Sequence, residues 1–80
     1  MPADLVLYLA QKLVNEPDAV RVEELDGPDG ELVLRLHVAE EDIGKVIGRQ
    51  GRIARALRTL VRASGGRRQE RALLEIVDTS

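Results

Sequence analysis

The chain has 80 residues, enough for one small domain that buries about 60% of the surface its unfolded form exposes. It contains no cysteine, phenylalanine or tryptophan and one tyrosine, which excludes disulfide bonds, thiolate metal sites and aromatic stacking platforms for bases. The formal net charge is −2, yet residues 1–44 carry 3 basic and 11 acidic side chains, whereas residues 45–80 carry 9 basic and 3 acidic ones. Because a phosphate responds to charge within a Debye length of about 8 Å, this overall charge does not exclude a nucleic-acid partner.

The sequence predicts neither a targeting signal nor a catalytic site. The N-terminus has no basic run ahead of an apolar one, and no apolar stretch approaches the length of a membrane span, so we expect a cytoplasmic protein that does not contact a membrane. His37 is the single histidine, and no Walker-type phosphate loop occurs. We therefore predict that the protein is not an enzyme and needs no cofactor and no metal.

Residues 4–15 place apolar side chains at the spacing of an amphipathic helix. The members of this stripe are Leu5, Val6, Leu9, Ala10, Leu13 and Val14. Pro17 restricts the residue before it to extended conformations, so the helix is predicted to end near Asn15. Tyr8 lies off the stripe, where half-burial is favoured over a role as a protein contact.

A β-hairpin is predicted next. Val20 and Val22 alternate with charged residues, which is typical of a short strand, and the Asp-Gly-Pro-Asp-Gly run of residues 26–30 indicates a turn. The second strand spans residues 31–38 and has the clearest two-residue period in the chain. Its apolar face consists of Leu32, Leu34, Leu36 and Val38. His37 falls on the opposite, polar face, and we interpret it as a structural residue.

Two short helices joined by a glycine-bounded turn follow the hairpin. Residues 40–47 begin with three acidic residues, which suit the positive end of a helix, and continue with apolar residues at helical spacing. Gly48 is expected to end this helix in a left-handed conformation. Gly51 is expected to let another molecule approach the backbone where the second helix begins. That second helix extends from Arg52 to about residue 64, before two glycines.

The turn between these helices is surrounded by positive charge. We expect free amides at the start of the second helix to point outward, where the helix dipole adds positive potential. No acidic residue occurs from Lys45 through Gln69, whereas a merely solvated surface normally mixes charges of both signs. One face of the second helix carries Arg52, Arg55, Arg58 and Arg62. The turn is therefore predicted to bind a phosphate, and a plain helix-to-helix turn is the alternative.

The end of the chain completes the element order α-β-β-α-α-β. Residues 67–70 are predicted to form a basic loop, and residues 71–78 form the last strand. We predict one domain over residues 1–80, with a helix and hairpin over 4–38 and the paired helices over 40–64.

The run from Val46 to Ile53, with Gly48-Arg49-Gln50-Gly51 between two short helices, resembles the signature of KH domains, which bind RNA and single-stranded DNA. A bare Gly-x-x-Gly has no specificity, but its placement in this element order does. The order resembles the type II (prokaryotic) KH domain, an α+β fold with helices packed on one face of a three-stranded mixed sheet. The resemblance covers essentially the whole chain and extends to the stand-alone single-KH proteins of bacteria, the KhpA family.

This resemblance implies binding of single-stranded RNA, and of single-stranded DNA as a second ligand, in a groove beside the turn. It further implies an RNA chaperone or post-transcriptional regulator that forms a homodimer, or a heterodimer with a larger KH-containing (KhpB/Jag-like) protein. The family is linked to cell-wall homeostasis and cell shape.

Carried over to this sequence, the two glycines of the turn would admit the nucleic-acid backbone, and the residues between and around them would contact it. The predicted RNA-binding set is Lys45, Val46, Gly48, Arg49, Gln50, Gly51, Arg52, Arg55, Arg67 and Arg68. Val46 or Ile47 would line an apolar groove, although either also fits the core. Arg67 and Arg68 would lie beside the last strand, which forms the other wall of the groove in KH domains.

Two further functions stay open at this point. A protein-interaction module is compatible with the pattern, since a domain this small gains stability from association. A helix-turn-helix that reads duplex DNA is disfavoured by the hairpin and the last strand.

Overall fold

The structure is a computed structural model that describes residues 2–63 and 67–79. Its elements are α1 Pro2–Leu13, β1 Arg21–Asp26, β2 Leu32–Val38, α2 Ile43–Ile47, α3 Arg52–Ala63, α4 Arg67–Glu70 and β3 Leu73–Asp78. The predicted order of helices and strands is confirmed, with the four-residue α4 as an addition. Among the described residues, no helix combines the length and the apolar character that crossing a bilayer requires.

β2 is the central strand of a three-stranded mixed sheet. It pairs with β1 in antiparallel orientation and with β3 in parallel orientation. The antiparallel pair needs only the predicted hairpin turn, whereas a parallel neighbour can be reached only by a longer crossover. Here α2, α3 and α4 form that crossover, so the segment with the glycine-bounded turn lies between the two paired strands in the chain. This is the α+β architecture that the type II KH resemblance implies.

The core is built on one face of β2. The four side chains predicted there are at most 2% exposed, which confirms the two-residue period: Leu32, Leu34, Leu36 and Val38. Each helix that packs on this face contributes buried apolar side chains: Val6 and Ala10 from α1, Val46 from α2, and Val61 from α3. The helices therefore cover one face of the sheet, and their packing on the core fixes the positions of α2 and α3.

The side of α1 that faces the core matches the predicted stripe at Val6, Ala10 and Val14 and departs from it elsewhere. The side chains that pack against the core are Ala3, Val6, Leu7, Ala10 and Val14. Leu13, a predicted core residue, is 39% exposed. Most of the helix is apolar, so its apolar stripe is wider than the surface that the sheet and the neighbouring helices offer, and the side in contact cannot be chosen from spacing alone.

Tyr8 is more exposed than predicted. Its side chain remains 57% exposed, and the Lys12 ammonium lies 5.2 Å from the ring centroid. This contact is a cation–π interaction on the outer side of α1.

Several element boundaries also differ from the predictions. α1 ends at Leu13, and a single 3₁₀ turn occupies Pro17–Ala19. β1 continues to Asp26, because its ladder with β2 extends up to the turn. Residues 67–70, predicted as a loop, form α4, since arginine, glutamine and glutamate are good helix formers. The predicted helix end at residues 64–66 lies outside the described residues.

His37 has a structural role on the other face of β2. It is only 8% exposed, although it was predicted on a polar face. Arg21 lies 3.4 Å from Nδ1, and because a guanidinium can only donate, Nε2 carries the proton and donates to the carboxylate of Glu23. This hydrogen bond from His37 lowers the pKa of Glu23. Polar partners on β1 thus explain how a histidine is buried there.

Asp42 links the segment after α1 to the beginning of α2 by hydrogen bonds. It belongs to a single 3₁₀ turn, Glu40–Asp42, that replaces the first turn of the predicted helix. Its side chain is 0% exposed and accepts hydrogen bonds from the backbone N–H groups of Asn15 and Glu16, both at 3.0 Å. These hydrogen bonds, first that from Asn15, together with the nearby Lys45 ammonium, lower the pKa of Asp42.

We expect acid to weaken the fold through Asp42. Because its pKa in the folded protein lies below the ordinary value of about 3.9, the unfolded chain takes up the proton more readily. The stabilisation from Asp42 is therefore complete above about pH 4 and is lost as the pH falls through the folded-state pKa. Urea unfolding at a series of acidic pH values should show a steeper loss of stability for the native protein than for Asp42→Asn. Parallel pH profiles would contradict this role.

Candidate nucleic-acid interface

The connection between α2 and α3 is a single 3₁₀ turn, Arg49–Gly51. α2 ends as the N–H of Gly48 donates to the carbonyl of Gly44 at 2.9 Å. Gly48 has φ of 76° and Gly51 has φ of 74°, values that side chains with a Cβ rarely allow. The turn thus depends on glycine at both ends, as the sequence predicts.

The two glycines serve different purposes. A Cβ added to Gly48 would lie 2.7 Å from Cγ1 of Ile53, so the first turn of α3 packs directly on this glycine. A Cβ added to Gly51 would meet nothing within 4 Å. Gly48 therefore allows the close packing of α3, while Gly51 has open space beside it that another molecule can enter.

The amides of the turn are less free than predicted. The N–H of Gly51 donates to the carbonyl of Gly48 at 3.1 Å, and the N–H of Arg52 donates to the carbonyl of Arg49. The prediction of free amides at the start of α3 is wrong for these two groups, because the turn closes on itself. In the described part of the chain, the backbone hydrogen bonds of the turn do not use the amides of Arg49 and Gln50 as donors. Within the turn, amide contacts with a phosphate are therefore expected from Arg49 and Gln50.

Gln50 has an unusual backbone conformation, with φ of 57° and ψ of 24°. Its carbonyl accepts a hydrogen bond from Nη2 of Arg55 at 3.0 Å. Arg55 was predicted as an RNA contact, and the structure shows that its guanidinium is also bonded to the turn itself.

Positive charge around the turn is exposed and largely unneutralised. Lys45, Arg49, Arg52 and Arg55 are all exposed. The ion pairs found among the described residues include none with Arg49, Arg52 or Arg55. Lys45 lies 3.7 Å from the buried carboxylate of Asp42, so its charge is partly offset. The guanidinium groups of Arg49 and Arg52 are therefore available to bind an anion, whereas that of Arg55 is bonded to the turn.

The apolar residue beside the turn is Ile47. Its side chain is 36% exposed, whereas Val46 is 0% exposed and belongs to the core. The predicted RNA contact of Val46 is thus corrected, because a fully buried side chain offers no surface to a ligand. Consecutive helical residues point about 100° apart, so α2 can direct only one of this pair into the core.

β3 lies beside α2 and α3, where the resemblance implies the second wall of a groove. Nε of Arg62 donates to the carbonyl of Ala72 at 2.9 Å and ties the last turn of α3 to the residue before β3. The side chains of Arg67 and Arg68 lie outside the described part of the structure, so their RNA contacts stay predictions.

The structure brings together most of the predicted set on the turn and the adjoining ends of α2 and α3. Two residues that matter for this region were missed or left undecided by the sequence. Asp42 is one of three consecutive acidic residues in the sequence. It differs from the other two because Asn15 lies close enough in the fold to donate a hydrogen bond to it. Ile47 was left between core and groove, because helical spacing fits both. A nearby recess beside Ala39, Glu40 and Glu41 carries exposed carboxylates, which disfavour a phosphate there.

Comparison with known proteins places the chain in a family. The family model for the KhpA/KhpB KH domain matches residues 3–76. A protein of Treponema pallidum is 51% identical over 78 residues, which cover 98% of this chain and 96% of the relative. Proteins of Caldanaerobacter subterraneus subsp. tengcongensis and Aquifex aeolicus are 49% and 47% identical, over 92% and 94% of this chain and 97% and 94% of the relatives.

All three relatives are named RNA-binding protein KhpA. No solved structure matches the chain. With a family model that spans nearly every residue and relatives of similar length, the chain belongs to the KhpA/KhpB family of KH-domain proteins.

Proposed function

We propose that the protein binds single-stranded RNA, without catalysis, through the Arg49–Gly51 turn and the basic residues around it. The observation that carries this proposal is the exposed turn itself: Arg49 and Gln50 face solvent, and the space beside Gly51 is open. The sugar-phosphate backbone of an unpaired strand can approach Gly51, while the guanidinium groups of Arg49 and Arg52 supply attraction. The relatives' name, which states RNA binding, supports the same ligand.

An unpaired strand fits this surface better than a duplex. Ile47 adds apolar surface at the end of α2, on which an unstacked base can lie. The only aromatic side chain, Tyr8, is on α1, so recognition by base stacking on aromatic rings is not available near the turn. The mode of binding that remains is contact with the nucleic-acid backbone, supported by the apolar surface of Ile47. Single-stranded DNA carries the same phosphates and is the second ligand that we propose.

A second candidate function is docking onto another copy of the chain through α3. Ala56, Leu60 and Ala63 are exposed at four- and three-residue spacing, and the side chain of Leu60 is 46% exposed. Such a stripe suits helix packing, because small alanine side chains let a partner helix approach closely. The stripe supports the homodimer that the family resemblance implies, and a larger KH-containing (KhpB/Jag-like) partner could use the same surface.

The wider role that we propose follows from family membership. It is that of a cytoplasmic RNA chaperone or post-transcriptional regulator that works with a KH-containing partner and affects cell-wall homeostasis and cell shape. Its support is the resemblance to the family, not the geometry of the turn.

Sedimentation of the protein at micromolar concentration, with and without an unstructured single-stranded RNA, separates the two functions. RNA binding predicts that the single strand sediments with the protein at low salt and that a duplex of the same sequence does so much less. A pure docking module predicts self-association that RNA leaves unchanged. Absence of the single strand from the protein boundary at low salt would contradict the leading proposal.

A further inference from the structure

We propose that Arg55 is a positioning residue, which holds the turn in its binding conformation through the carbonyl of Gln50, and is not itself a phosphate ligand. The inference deepens the proposed function and rests on it, because it assigns the step that prepares the turn for RNA. It also revises the prediction that Arg55 belongs to the RNA-contacting set.

The first observation is the conformation of Gln50. Among the described residues it is the only one other than glycine with a positive φ, 57°. The left-handed region is unfavourable for a residue with a Cβ, and such a residue stays there only when its surroundings fix it. Something in the turn must therefore hold Gln50 in place.

The second observation is how the carbonyl groups of the turn are bonded. The carbonyl of Gly48 accepts from the N–H of Gly51 at 3.1 Å, and the carbonyl of Arg49 accepts from the N–H of Arg52. The carbonyl of Gln50 accepts from the Arg55 side chain at 3.0 Å. Backbone donors serve the first two groups, so Arg55 supplies the one bond of this set that a substitution can remove.

The hydrogen bond from Arg55 to the carbonyl of Gln50 prevents a rotation of the peptide that follows Gln50. The peptide that joins Gln50 to Gly51 can rotate when ψ of Gln50 and φ of Gly51 change together, and a glycine offers little resistance to such rotation. After the rotation, the carbonyl oxygen of Gln50 would be free to face an approaching phosphate, and two negative groups would repel each other. The hydrogen bond from Arg55 holds this oxygen against α3 and leaves the outer side of the turn to the amides and guanidinium groups.

Arg52 provides a matched comparison. It is exposed on the same helix as Arg55 and makes no side-chain hydrogen bond or ion pair within the described residues. Arg55→Met and Arg52→Met each remove one positive charge and keep a side chain of similar shape. Only the first removes the bond to the turn, so the two variants separate positioning from electrostatic attraction.

The first measurement is amide hydrogen exchange of the RNA-free proteins, corrected for the intrinsic rate of each sequence. We expect Arg55→Met to accelerate exchange at Gly51 several-fold, since its bond to Gly48 belongs to the same turn, and Arg52→Met to leave it near the native rate. Arg55→Lys keeps a donor and should restore most of the protection. Native exchange at Gly51 in Arg55→Met would overturn the proposal. If Arg55→Met does not fold, Arg55→Ala, which also removes the donor, carries the test, and native exchange at Gly51 in that folded variant would overturn the proposal.

The second measurement is the salt dependence of affinity for a single-stranded RNA. Loss of one phosphate contact should flatten the slope of log affinity against log salt by about 0.7. We expect this flattening for Arg52→Met, whereas Arg55→Met should weaken binding about tenfold with nearly the native slope. Equal flattening in both variants would overturn the proposal by making Arg55 a phosphate ligand. Because exchange is measured without RNA, a protein that binds no RNA would refute the proposed function and still report whether Arg55 holds the turn.

Discussion

Arg49→Asp combined with Gln50→Asp should weaken RNA binding roughly thirtyfold and leave the fold intact. Both side chains are exposed, and aspartate tolerates the left-handed conformation of Gln50 better than most residues. The pair lowers the local charge by three units. At about 6 Å from a phosphate in water, each unit contributes about 0.7 kcal/mol. Together they amount to about 2 kcal/mol, which corresponds to the expected loss of affinity.

Filter retention of a labelled single-stranded RNA at low salt measures this effect. The matched control is Gln11→Asp combined with Lys12→Asp, which makes the same change of charge at exposed positions of α1. The control should retain RNA nearly as well as the native protein. Undiminished retention by the turn variant, or an equal loss in both variants, would show that the turn is not the binding site.

Leu34→Ala should lower the free energy of unfolding by about 2–5 kcal/mol, the usual cost of removing a large buried side chain. Leu34 is 0% exposed and lies on β2, where its neighbours in the sheet are Glu24 and Leu74. Small domains have total stabilities of only about 5–15 kcal/mol, so this variant should approach the limit of folding. The turn depends on the same core, because Val46 of α2 and Val61 of α3 pack in it.

Urea unfolding followed by circular dichroism tests this expectation. Val33→Ala is the matched control, since Val33 is the residue of β2 just before Leu34 but lies on the other face and is only half-buried. Its loss of stability should be clearly smaller than that of Leu34→Ala. Similar losses in the two variants would mean that the buried face of β2 does not dominate the stability of the domain.

The parts of the fold that follow from local patterns could be predicted from the sequence. β2 could be predicted from its alternation of apolar and polar residues alone, because a strand with one apolar face can bury that face in a single way. The two helices around the turn could be predicted from the spacing of their apolar residues and from the two glycines between them. The contact side of α1 could be predicted only in part, since its apolar stripe is wider than the surface it covers. The choice among Leu5, Leu7 and their neighbours depends on how the helix lies on the sheet.

The candidate site shows the same division. The need for glycine at Gly48 and Gly51 and the excess of positive charge are local properties, and both could be read from the sequence. The contact of Ile53 with Gly48 and the bond from Arg55 to Gln50 depend on how α3 leaves the turn. Spacing alone does not contain that geometry. The burial of Val46 and the exposure of Ile47 likewise required the position of α2 over the sheet.

Chemical-shift mapping of an unstructured single-stranded RNA onto ¹⁵N-labelled protein is the most direct test of the claim that the turn between α2 and α3 binds RNA. We expect the largest changes at Arg49, Gln50, Gly51 and Arg52, with smaller ones at Ile47 and along β3. The acidic hairpin strand β1 should change little. Largest changes on α1 or β1, with the signals of the turn unmoved at saturating RNA, would contradict the claim.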